Sequence, residues 1–157
     1  MPLKDPFEHL AVSLDLVTRF VSVFARCEYA MKETGYRRDD HGIAAPAWRK
    51  LQADARGWLT VDEGGELQGA IEFLRSKPPK IETFAAGWQP EPFKQADPIA
   101  QAIESATRVR HNLFHGGKHH CEEEAGRDER LVSAALTLLL AVIEQCPGDL
   151  RGAYENG

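Results

Sequence analysis

Between Arg108 and Lys118 the chain reads RVRHNLFHGGK, and no other stretch gathers so many groups that move protons or hold phosphate. His111 and His115 carry imidazoles, which titrate near neutrality and so both take and give a proton. Arg108 and Arg110 keep their charge at any working pH, which suits a bound anion or the negative charge that develops on a phosphorus centre. Asn112 is able to orient an imidazole or a phosphate, and Lys118 is either a phosphate contact or an ordinary solvated cation. Gly116 and Gly117 give a natural helix stop and leave His115 at a helix end, open to a substrate. A zinc site competes for some of these residues, since His111 and His115 are spaced i, i+4 and His119, His120 and Cys121 follow. Three features weigh against zinc: the glycine pair breaks the helical register, there is no HExxH, and Glu122, Glu123 and Glu124 lack ligand-like spacing. Surface histidines in a polar loop account for His119 and His120, so no metal or other cofactor is expected.

Arg110 and His115 stand with four residues between them and Asn112 next to His111. This resembles the Rx4-6H signature of the HEPN superfamily of small helical domains, many of which are metal-independent ribonucleases. The longer string RHNLFHGGK is more specific than the pair alone. The likeness extends to a long first helix with an acidic residue and to a motif helix that precedes one last apolar helix. What it implies is RNA cleavage with the ribose 2′-OH as internal nucleophile. A histidine takes the 2′-OH proton or protonates the leaving 5′-oxygen, and Arg110 offsets charge on the phosphorane. The products are a 2′,3′-cyclic phosphate and a 5′-hydroxyl. On this reading Arg110 and His115 are catalytic with Asn112 and His111 as helpers, while Arg108 and Lys118 bind substrate.

The partners implied are RNA and a second copy of the chain, because HEPN dimers often bring paired motifs to a shared cleft. The chain looks most like small stand-alone bacterial or plasmid-borne members, among which are toxins of toxin–antitoxin pairs and RNA-cutting defence proteins, so an antitoxin protein is a further expected partner. Some members are silenced by adenylylation of a tyrosine two residues after the motif histidine; here that position is Gly117. Other HEPN domains are non-catalytic modules that bind nucleotide, RNA or protein, and this is the alternative reading. No Gly-rich phosphate loop, GxSxG elbow or helix-turn-helix signature offers a competing class.

The helix that must carry the motif starts at Asp97-Pro98, with Asp as cap and Pro in the first turn. On a wheel of about 100° per residue, Ile99, Ala102, Ile103, Ala106, Val109, Leu113 and Phe114 form an apolar arc. Arg110 falls near its middle and Arg108 almost opposite, which predicts a buried Arg110 and a solvent-facing Arg108. Glu28 is the matching oddity in the first helix, inside a stripe of Leu10, Leu14, Val17, Val21, Phe24 and Met31. Either it pairs with Lys32 at the edge of the core, or it meets Arg110 as a supporting carboxylate. The second reading makes Arg110→Ala cost roughly 3 kcal/mol and Arg108→Ala less than about 0.5. A structural arginine that pins two helices is the plainer account of Arg110. Arg110 and His115 lie about 140° apart on a straight helix, so facing one phosphate requires an unwound backbone or two copies across a two-fold axis.

The remaining elements are helical too. Helices are predicted over Phe7–Lys32, from Pro46 to about Gly57, over Glu66–Ser76 up to the Pro78-Pro79 break, and from about Glu129 to Gln145. Residues 35–42 read as a loop, 80–97 as an irregular packed connection, and the tail beyond Leu150 as frayed. The last long helix is apolar on nearly every side, which suggests a central position or burial by a partner. The expected fold is all-α, a four- to five-helix up-and-down bundle in one domain over residues 1–157. No uncharged stretch approaches the roughly 20 apolar residues of a membrane span, no signal peptide is evident, and a cytoplasmic location is expected. Three cysteines with no CxxC spacing argue for reduced thiols. The net charge of −5 excludes sequence-blind coating of nucleic acid and leaves room for a local basic cleft.

Overall fold

The computed structural model describes residues 2–3, 5–8, 10–114 and 126–157. Among the described residues there are six helices, 57% of the positions, and two small antiparallel sheets. The expectation of a pure four- to five-helix up-and-down bundle is therefore incorrect. This is a helix-rich fold in which two of the connections between helices are built as hairpins.

Helix α1 (Leu14–Glu33) begins about two turns later than expected because Ser13 caps it, its hydroxyl accepting from the Leu16 amide at 3.4 Å. The expected helix loop after it is a hairpin, β1 (Arg37–Asp40) with β2 (Ile43–Pro46), closed by the two-residue turn His41-Gly42. Both turn residues have positive φ, 52° and 85°, as a turn matched to strand twist requires. Asp39 Oδ1 accepts from the Gly42 amide at 2.6 Å and holds the turn closed. Pro46 thus ends a strand, and α2 (Trp48–Ala55) starts two residues after it.

Helix α3 (Glu66–Ser76) matches expectation. The 80–97 segment is not wholly irregular: β3 (Ile81–Thr83) and β4 (Gly87–Gln89) form a second hairpin. Thr83 Oγ1 accepts from the Ala86 amide and donates to the Gly87 carbonyl, bracing its turn. Helix α4 (Pro98–Phe114) opens as predicted, with Asp97 Oδ1 accepting from the Ile99 and Ala100 amides at 3.0 Å each. Helix α5 (Arg127–Gln145) packs against α1, α3, α4 and α6 (Leu150–Asn156). Its all-round apolarity is thereby covered by neighbours within the chain. The tail is helical, not frayed: Leu150 is buried, and Arg26 Nη2 donates to the carbonyls of Glu155 and Gly157.

The core joins these helices through Phe20 and Met31 of α1, Leu51 of α2, Leu74 of α3, Ile103 of α4, and Leu138 and Leu139 of α5. Burying each such side chain contributes about 1.5–3 kcal/mol. No single helix among the described residues is long and apolar enough to cross a membrane.

Candidate functional site

The two arginines of the motif are placed the other way round from the wheel reading. Arg108 is the buried one, 8% exposed, and it is held on four sides. Its Nη2 donates to Glu104 Oε1 at 2.6 Å and to the Pro92 carbonyl at 3.0 Å, and its Nη1 donates to the Glu91 carbonyl at 2.8 Å. The Glu91 carboxylate lies 3.8 Å away and the Phe93 ring beneath the guanidinium at 5.1 Å. Arg110 is half-buried and rests on two rings, Phe114 at 4.6 Å and Phe24 at 5.8 Å.

The reason is the main chain on either side of the second hairpin, Lys80 before β3 and residues 91–94 after β4. It lies over the side of α4 opposite the apolar arc, so that side is covered by main chain and not by water. A helix face buried against backbone needs polar groups to meet the amides and carbonyls presented to it. Glu104, Arg108 and Asn112, spaced i, i+4, i+8, do this. Glu104 Oε2 accepts from the Lys94 amide at 3.1 Å, Arg108 takes the two carbonyls named above, and Asn112 Nδ2 donates to the Lys80 carbonyl at 2.9 Å. Arg108 is thus bound into the fold and is not solvent-facing as expected, although it also lines the cleft described next.

The other flank of the motif opens onto a cleft of about 330 Å³. Thr107, Arg108, Arg110, His111 and Asn112 line it from α4, Phe24 and Glu28 from α1, and Trp48 from α2. Three separated stretches of sequence therefore converge on one concave surface, with Ile81 of β3 at its side. His111 is exposed, and Asn112 is buried with its amide nitrogen committed to Lys80. The expected ion pair between Glu28 and Arg110 is replaced by a different arrangement. Glu28 Oε1 accepts from Trp48 Nε1 at 3.0 Å, while Arg110 sits on Phe24, one turn earlier on the same helix. The two charges share the cleft without closing on each other, and among the described residues no carboxylate lies within ion-pair distance of Arg110.

Trp48 is the cleft residue that sequence reading passed over. It stood in the pattern only as the apolar opening of a short helix. Its ring packs on Phe24, centroids 5.1 Å apart and planes tilted by 34°, and its indole N–H is fixed by Glu28. The available signal was a pairing of oddities: a carboxylate inside an apolar stripe and a tryptophan, whose indole N–H usually takes an acceptor when buried. Cys27, next to Glu28, is fully buried, and its thiol is pushed up to about 12 by burial first and by the Glu28 charge second. It stays protonated at neutral pH and is no nucleophile. Burial likewise raises the Cys146 thiol and the Tyr36 hydroxyl, which lie 3.9 Å apart.

His115, Lys118 and the Gly116-Gly117 stop fall outside the described residues, as do His119, His120 and Cys121. His115 follows directly on Phe114, the last residue of α4. Comparison with family models, with curated proteins and with solved structures gave no match to this chain.

Proposed function

We propose that this protein is a metal-independent endoribonuclease of HEPN type, with Arg110 and His115 as its acting residues. The observation that supports this most directly is the convergence of Arg110, His111, Glu28 and Trp48 on one cleft beside the end of the motif helix. Arg110 has the placement of a phosphate-binding cation: it is partly desolvated, oriented by two aromatic faces, and without a carboxylate partner among the described residues. His115 moves the proton, from the ribose 2′-OH or to the departing 5′-oxygen. His111, at the rim of the cleft, is the second imidazole such a reaction uses. Asn112 is a positioning residue, since its bond to Lys80 fixes the last turns of α4 against β3.

The test is cleavage of RNA by the purified protein in EDTA, with end-group analysis of the products. Wild type should yield 2′,3′-cyclic phosphate and 5′-hydroxyl ends, and His115→Ala and Arg110→Ala should each lose at least a hundredfold in rate. Intact RNA after incubation with folded wild type would exclude catalysis and leave a binding module. The angular separation of Arg110 and His115 also motivates a dimer with shared sites. Mixing the two inactive variants should then restore part of the activity, which a monomeric site could not do.

A further inference from the structure

The cleft contains more than a phosphate site, and its other end has the chemistry of a base-recognition pocket. We infer that Trp48 and Glu28 form a nucleobase subsite that takes one unstacked base and favours guanine, with the attached phosphate on Arg110. The inference builds on the ribonuclease reading by naming what the cleft recognises.

Trp48 is half-buried and lines the cleft while its ring packs on Phe24. An aromatic ring held this way is a stacking platform, since every base has a π-face and single-stranded nucleic acid is bound by such rings. The hydrogen bond from Nε1 to Glu28 fixes the ring's rotation, so little ordering remains to be done on binding. A volume of about 330 Å³ is at the small end for a ligand site and suits one nucleotide, not a duplex segment. Phe24 and Glu28 are i, i+4 on α1, so the Arg110 end and the Glu28 end lie about one helical turn apart. The charges are ordered to match a nucleotide: the cation takes the phosphate, and the carboxylate would repel it from the opposite end.

Glu28 also supplies the choice of base. Oε1 is occupied by Trp48, and the carboxylate has acceptor capacity left that faces the same cleft. Guanine offers two donors side by side, N1–H and the exocyclic amine, which a carboxylate accepts together. Uracil offers one N–H flanked by two carbonyl oxygens, which the carboxylate repels. Adenine and cytosine, each with one amine beside an acceptor, fall between.

The experiment measures binding apart from cleavage. Full-length His115→Ala protein in EDTA is titrated calorimetrically with guanosine 3′-monophosphate and with uridine 3′-monophosphate. The guanosine nucleotide should bind on the order of tenfold more tightly. Trp48→Ala should weaken both on the order of tenfold, and Trp48→Phe, which keeps a ring against Phe24, should lose only part of this. Glu28→Gln is the discriminating variant: its amide oxygen still accepts from Trp48 while its amide donors enter the cleft, so the preference for guanine should vanish or reverse at unchanged melting temperature. Failure of folded protein to bind either nucleotide would overturn the subsite even if RNA is cleaved, and equal affinities in the unsubstituted cleft would overturn the guanine choice. Nucleotide binding by a protein that cleaves no RNA would uphold the subsite and remove the ribonuclease reading.

Discussion

Arg108 and Arg110 are two residues apart in one helix and live in different chemical worlds. Arg108 is enclosed by two carbonyl oxygens and a carboxylate that accept from its fixed fork of donors, with a ring beneath. Arg110 is laid across two rings with its donors turned to a cleft. One charge is taken up by carboxylate and carbonyl oxygens, and the other, among the described residues, meets only rings. The contrast teaches that burial and bonding are separate properties: two like residues on one helix differ most in how much of their bonding capacity the fold has used.

The largest effect should come from Arg108→Ala. It strands Glu104 inside the protein and leaves the Glu91 and Pro92 carbonyls without their donor, a loss of about 3–5 kcal/mol. Arg110→Ala should cost only about 0.5–1 kcal/mol, the value of its ring contacts. It should weaken RNA binding, and more at low salt. Parallel thermal melts and RNA titrations check both, and similar melting points for the two variants would erase the distinction drawn here.

Asn112→Ala tests whether the same helix face is structural along its length. Removing the donor to the Lys80 carbonyl should cost about 1–3 kcal/mol, measured by urea unfolding. Should it instead abolish cleavage at unchanged stability, Asn112 belongs with Arg110 and not with Arg108.

The smallest effect concerns Cys27, below the cleft. Its thiol titrates higher in the folded protein, at about 12, than its usual 9.0, so the native state holds this proton more tightly. The associated stability is complete below pH 9 and is lost as pH rises towards 12. At neutral pH a thiol alkylating agent should leave Cys27 unmodified in native protein and label it only after denaturation, as peptide mass mapping would report.

Much of this was legible in the chain itself. Asp97-Pro98 marked the start of α4, and Pro78-Pro79 the end of α3. Four residues of the stretch singled out for chemistry, Arg108, Arg110, His111 and Asn112, do line a cleft. Glu28 was marked as anomalous from its place in the apolar stripe, though its partner is an indole N–H and not a guanidinium. The hairpins escaped notice because β1 exposes every side chain and so carries no alternation, while β3 and β4 are three residues each. The rotation of α4 was misread for a physical reason. A helical wheel equates a polar face with water, and here that face is covered by the backbone of residues 91–95, which asks for polar side chains just as water does. Arg108, Glu104 and Asn112 looked like surface residues because they are buried against something with the chemistry of a surface.

Arg108 grips residues 91 and 92 chiefly through their carbonyl oxygens, and every amino acid supplies those. Apart from Phe93, whose ring lies beneath the guanidinium, the identity of the side chains along this stretch is therefore weakly constrained, whereas its length is not. In a library of variants, substitutions at Glu91 or Lys94 should survive far more often than the insertion or deletion of one residue between 91 and 95. Such a change would slide the carbonyls past the guanidinium. Relatives of this protein are then free to diverge in composition here while keeping the spacing, so residue-by-residue identity will understate how closely they share the device.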